Sequence, residues 1–189
     1  RGILAYFNSE AQLATVMGHE IGHVTARHSV EQMSRAQLAQ LGVGIAMVAS
    51  EEFRQYSGLA ELGLGILFLQ FSRDDESQSD ELGFRYMTRL GYDPQGAVNL
   101  QRTFVKLAEG KQQDWISGLF ASHPPSQERV QNNIELLATL PKGGDLGVER
   151  YRAKTAHLLR TKPAHQAYDD ARKAPAKKDL ANARRLAGP

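Results

Sequence analysis

His19 and His23 stand four residues apart in the string HEIGH, where Leu13, Met17, Ile21 and Val24 recur at helical period. Ser9, three residues before Gln12, is a helix-start signature, so one capped helix carries both imidazoles. On that helix the two rings lie close in angle and one turn apart, where both can reach a single metal ion. Glu20 points to a neighbouring face, positioned to act as a general base toward water. No other feature constrains the fold as strongly. The helix must stay intact, one face must be covered, and a further ligand must arrive from elsewhere. Gly18 and Gly22 leave room for a backbone, expected to be that of a strand, to approach closely.

A catalytic zinc ion keeps three protein ligands and one open position. In the metzincin pattern the third would be a His at 29 after Gly at 26, but the chain has Ala26 and Ser29. His28 is one position out of register and reads as a surface or helix-packing residue. The segment FSRDDESQSDELGFRYM (71–87) instead reads as a second helix, with Glu76 and Asp80 one turn apart on one side. Glu76 would complete a His-His-Glu set, and Asp80 would accept the free ring N–H of a metal-bound His. The spacing alone leaves Asp74, Asp75 and Glu81 open, and a solvated acidic face accounts for the same letters.

The remaining pattern is overwhelmingly helical. Residues 1–7 (RGILAYF) read as an apolar strand, and the first helix is expected to run at least to His28. Residues 41–48 and 58–71 are apolar but shorter than the roughly 20 residues of a membrane span, so a buried helical hairpin is expected, with membrane-surface contact as the alternative. A helix over 73–90 ends at Gly91, and Asp93-Pro94 opens the next. Residues 110–123 read as a loop anchored by Trp115, Leu119 and Phe120. Pro124-Pro125-Ser126 starts another helix, which stops before Pro141.

PKGGDLG (141–147) reads as a hinge, dividing the chain into 1–141 and 142–189. Residues 1–141 carry 11 Lys/Arg against 16 Asp/Glu, whereas 142–189 carry 12 against 5, so an acidic body bears a basic tail. Helices are expected near 149–160 and then as a helix–turn–helix capped by Asp179. The tail's only aromatics are Tyr151 and Tyr168, which argues against nucleic-acid binding. Cysteine is absent, excluding disulfide frameworks and cysteine-based zinc ribbons. The abrupt first and last residues read as those of a piece cut from a longer precursor.

HEIGHVTARHS, SRDDESQSDELGFRYM, GYDP and SHPPSQER, in that order, resemble the zinc metallopeptidase family of CAAX prenyl endopeptidases and HtpX, nearest its soluble, periplasmic BepA-like branch. The resemblance implies a mostly α, zincin-like (gluzincin) domain with a small β-sheet over 1–141. It implies one zinc per chain on His19, His23 and Glu76, with Glu20 as base and Asp80 as a second catalytic acid. Ser79 departs from the family's usual Ala and reads as harmless. The resemblance also raises His123 and Arg129, either of which could stabilise the oxyanion of peptide hydrolysis. From the residues alone, His123 is as easily a loop or cap residue, and Arg129 a surface ion-pair residue. His123 could also close the open zinc position, leaving the site latent until its loop moves.

The implied activity is a zinc metalloendopeptidase in envelope protein quality control, acting on unfolded or misassembled proteins. An extended substrate is expected to add to the sheet edge at residues 2–7. The C-terminal helices resemble the start of a tetratricopeptide-type repeat and offer a surface for envelope partners. That tail also motivates the alternative, a chaperone-like repeat module with a vestigial zinc site.

Overall fold

The first helix forms where its cap predicts. In the computed structural model, which describes residues 2–55, 58, 71–110 and 114–176, α1 spans Glu10–Thr25 and Ser9 Oγ accepts from Gln12 N at 3.2 Å. The expected continuation through His28 does not occur. Arg27 adopts a left-handed φ of 61°, and a new helix, α2 (His28–Ala49), leaves in another direction. The break turns His28 inward, where it is buried against α1.

Beyond that point α2 has little cover. Val30, Met33, Leu38, Leu41, Ile45 and Val48 are 60 to 86% exposed, so residues 41–48 are not the buried first leg of a hairpin among the described residues. The second leg, 58–71, falls almost wholly outside them. A short α3 (Glu51–Gln55) follows α2. No helix among the described residues is long and apolar enough to cross a membrane.

Helix α4 (Arg73–Arg89) opens on a reciprocal capping box: Ser72 Oγ accepts from Asp75 N and Asp75 Oδ2 accepts from Ser72 N. It ends as expected, with Gly91 at φ 82°. Asp93 Oδ1 then accepts from Gln95 N at the start of α5 (Gln95–Glu109). The expected loop over 110–123 is instead helical over α6 (Asp114–Ser122), with Leu119 and Phe120 packed against a core of Phe7, Leu100, Phe104 and Tyr151. The Trp115 side chain lies outside the described part. Ser126 caps α7 (Gln127–Ala138) through Arg129 N, at 3.1 Å. A second core of Ala11, Phe84, Met87, Ala97 and Val98 joins α1, α4 and α5.

No strand occurs among the described residues; their one β-type contact is an isolated bridge between Tyr92 and Asp145. The expected opening strand is a 3-10 turn, Ile3–Tyr6. With no neighbouring strand to pair with, it turns locally, Ala5 N donating to Gly2 O at 3.3 Å. Phe7 anchors it in the core. The sheet edge on which substrate was expected to dock is therefore missing from the described residues.

Gly143, Gly144 and Gly147 all have positive φ. At Gly144 a Cβ would meet Asp93 N at 2.6 Å, so the turn requires glycine there. It is tied back to the body, Asp145 N donating to Gly91 O and Ala11 N to Leu146 O. One helix, α8 (Val148–Ala176), then runs unbroken through the helix expected near 149–160 and into the first leg of the expected helix–turn–helix. It continues past Pro163 with the loss of one backbone bond. Asp179 and the remainder of the repeat-like pattern, through Leu186, lie outside the described residues. Tyr151 Oη donates to Leu4 O at 2.6 Å, joining α8 to the 3-10 turn. Tyr151→Phe is expected to lower unfolding free energy by about 0.5–1.5 kcal/mol in urea titrations, the net worth of one such bond.

Candidate metal centre

Backbone-to-backbone packing of α1 against α4 builds the site. A Cβ on Gly18 would meet Gly83 Cα at 3.0 Å, one on Gly22 would meet Ser79 Cα at 3.1 Å, and one on Gly83 would meet His19 N at 3.1 Å. Gly18 and Gly22 admit a close neighbour as expected, but that neighbour is a helix rather than a strand. The approach brings His19 and His23 directly over Glu76 and Asp80.

Four side chains converge there. His19 Nε2 lies 3.0 Å from His23 Nε2 and 3.4 Å from His123 Nδ1. Glu76 places Oε1 3.2 Å from His23 Nε2 and Oε2 3.5 Å from His19 Nε2. His123 Nδ1 is 2.7 Å from Glu76 Oε1. One ligand atom from each of these four residues lies within 4.8 Å of all the others. Tetrahedral zinc with bonds near 2.0–2.1 Å would space its donors by about 3.3 Å. Glu76 Oε2 is buried without a hydrogen-bond partner. Arg129 Nη1 sits 2.6 Å from it as an ion-pair contact, but not in hydrogen-bonding geometry. Convergent imidazole nitrogens and a buried carboxylate fit a cation.

A supporting layer orients these donors. His19 Nδ1 is 2.9 Å from Asp80 Oδ1, which is the ring N–H partnership expected of Asp80. Arg129 holds the same carboxylate with both arms of its fork, Nε at 3.0 Å from Oδ2 and Nη2 at 2.7 Å from Oδ1. Its guanidinium is thus engaged by Asp80 and Glu76 together. His28 Nδ1 lies 2.9 Å from His23 Nδ1, and its Nε2 meets Gln78 Oε1 at 2.8 Å. Ser79 Oγ is 3.2 Å from His28 Nδ1.

The electrostatics follow from this layout. Burial alone would lower the His19 pKa, but hydrogen bonds with Asp80 and Glu76 outweigh it and raise it to about 9. Burial pushes Glu76 upward, yet His123, His19, His23 and Arg129 hold it well below the usual carboxylate range. Asp80 is pulled down against burial by His19 and Arg129. The His23 pKa is lowered, because burial outweighs its contact with Glu76.

His19, Glu20, His23, Glu76, Asp80, His123 and Arg129 meet at this site. Glu20 stands at the rim with its side chain 48% exposed, Oε1 lying 3.8 Å from His123 Nε2. The competing carboxylates are otherwise placed: Asp75 belongs to the α4 cap and Glu81 pairs with Arg85. Three partners carried no readable signal. His28 reaches His23 only because of the turn at Arg27, Ser79 contributes a hydroxyl that a harmless Ala replacement would not, and the Phe71 ring lies 4.0 Å from that of His23.

Residues 1–136 match the model of peptidase family M48. The chain belongs to that family. Within M48 it is 33% identical over 143 residues to metalloprotease YcaL of Escherichia coli K12, covering 73% of this chain and 53% of that protein. It is 32% identical over 142 residues to the beta-barrel assembly-enhancing protease of the same strain, covering 68% and 28% respectively. Similarity to mitochondrial metalloendopeptidase OMA1 of Arabidopsis thaliana is 31% over 128 residues, covering 68% and 25%. This M48 chain therefore spans about half or less of the length of these relatives.

Proposed function

We propose that the chain is a zinc-dependent endopeptidase, with His19, His23 and Glu76 holding one zinc ion and Glu20 acting as general base. The observation that carries this reading is the convergence of two imidazoles and a buried carboxylate, with ligand atoms at metal-site spacing, beside an exposed Glu20. Two nitrogens and an oxygen suit zinc, a borderline ion that accepts both. When bound, zinc supplies Lewis acidity toward water and toward the peptide carbonyl.

The chain's own residues do the rest. Glu20 takes the proton of the attacking water and passes it to the departing amine. Asp80 holds His19 in one tautomer by accepting from its Nδ1, which leaves Nε2 free as the atom that would bind zinc. Arg129 balances the negative charge of Glu76 and Asp80, so its role is to position those groups rather than to meet the oxyanion. His123 acts in two ways. Packed against Glu76 it is a fourth donor and the site is latent; swung toward the rim it donates to the oxyanion. Asp80→Asn is expected to weaken zinc binding about 10- to 100-fold in chelator competition, the usual effect of losing such a partner.

The substrates we propose are unfolded or misassembled proteins of the bacterial envelope, with the chain in the periplasm. Similarity to a protein named for β-barrel assembly supports this. In this reading residues 1–141 are the zincin-like catalytic unit, and the basic segment 142–189 offers a surface for envelope partners. Metal analysis combined with cleavage of an unfolded protein tests the reading. One zinc per chain is expected, with cleavage lost on chelation and restored by zinc; a protein that binds no zinc sinks it.

A further inference from the structure

Gln101 on α5 is 2% exposed, and its Oε1 is buried without any hydrogen-bond partner. Buried polar atoms left in that state are rare. An apolar side chain of equal length would fill the space without leaving an amide unmet. The residue lines a cavity of about 30 Å³ that also borders His19, Glu20 and His123. Four further walls, Val16, Leu100, Phe104 and Leu119, offer no polar partner, and the charged pair Asp80 and Arg129, which also lines it, is bonded to itself. Thr15 also lines it, but donates its hydroxyl to Ala11 O at 2.8 Å. An unmet amide therefore fronts a small, mostly apolar space beside the candidate catalytic centre.

We infer that this cavity receives the substrate side chain flanking the scissile bond, that Gln101 is its specificity-determining residue, and that it selects a hydroxyl side chain, Ser or Thr. The inference rests on the endopeptidase reading and names its substrate preference. Size decides the first part, since this volume is about one water molecule's share of the liquid; a hydroxymethyl enters where Leu or Phe cannot. Chemistry decides the second. A hydroxyl donates, so it can satisfy the unmet Oε1 while its own oxygen stays free to accept. Carboxylates and ammonium groups are disfavoured because four walls are apolar and the charged walls Asp80 and Arg129 already satisfy each other.

The test has a cleavage arm and a binding arm. Zinc-loaded protein is given a peptide library and the new termini are sequenced; Ser and Thr are expected to dominate at one position beside the cut. Matched peptides with Ser, Ala or Leu there should differ in kcat/KM, Ser exceeding Ala roughly tenfold, as for a site built to hydrogen-bond a substrate group, and Leu falling lower still. In Gln101→Met, which keeps the side-chain length and removes the amide, the Ser-to-Ala ratio should fall to about one. A flat profile in the wild type, or an unchanged ratio in a folded Gln101→Met, overturns the inference. If that variant does not fold, the wild-type ratio decides. In the binding arm, Glu20→Gln protein is titrated with a fluorescent peptide series scanned Ser against Ala, and several-fold tighter binding of a Ser peptide is expected. Absence of cleavage with that preference intact refutes the peptidase reading alone, whereas equal affinities refute the pocket.

Discussion

Glu20→Gln is expected to reduce kcat by about 10²–10⁴-fold, the range for general acid–base groups, while the protein still binds one zinc ion per chain. The separation is possible because Glu20 and the donors lie on different faces of α1. His19 and His23 turn toward α4 and are buried, whereas the Glu20 side chain is 48% exposed at the rim. Replacing one oxygen by NH₂ leaves the shape of the rim and every donor distance in place. It removes only a group able to take a proton from water. Equal zinc content by mass spectrometry with residual turnover near background would assign the proton transfer to Glu20. Cleavage at the parental rate would move that role elsewhere, and His123, 3.8 Å away, would be the next candidate.

Gly83→Val should unfold the protein more readily, by about 1–3 kcal/mol, the usual cost of overpacking, and should weaken metal binding with it. The new Cβ would stand 3.1 Å from His19 N and 3.3 Å from Gly18 C. Both are backbone atoms of a helix and cannot swing aside, so α1 and α4 must part. Separation moves His19 and His23 away from Glu76, so stability and metal affinity should fall together. Gly44→Ala on α2 is the internal control, because a Cβ there meets nothing within 4 Å. It is expected to be stabilising by about 0.5–1 kcal/mol through helix propensity. Urea midpoints for the two variants should therefore move in opposite directions. A Gly83→Val protein as stable as its parent would show that the helix contact is not what holds the donors.

Much of the site is legible in the sequence because its signals are local. His19, Glu20 and His23 share one helix, where residue spacing is geometry, and Glu76 and Asp80 share another. Ser9, Ser72 and Ser126 announce helix starts because capping depends on neighbours a few residues away. Other features depend on partners distant in the chain. RGILAYF has strand-like letters, but a strand exists only with something to pair with, and its Leu4 carbonyl instead meets Tyr151. The break at Arg27 has no Gly or Pro to mark it, so His28 could not be read as a partner of His23. Ser79 looked neutral because its hydroxyl matters only beside His28. The run 41–48 is apolar enough for a core, and nothing among the described residues covers it.

The left-handed turn at Arg27 also adds His28 to a chain in which each hydrogen's direction follows from its neighbour's. Two Nδ1 atoms at 2.9 Å must be one donor and one acceptor. If His23 turns a bare Nε2 toward the ion, its hydrogen sits on Nδ1, and His28 accepts it. His28 then carries its own hydrogen on Nε2, facing Gln78 Oε1. A single backbone torsion thus brings His28 into a hydrogen-bond chain running from Gln78 inward to His23, and a residue at 27 that let α1 run straight on would cut that chain at its second link.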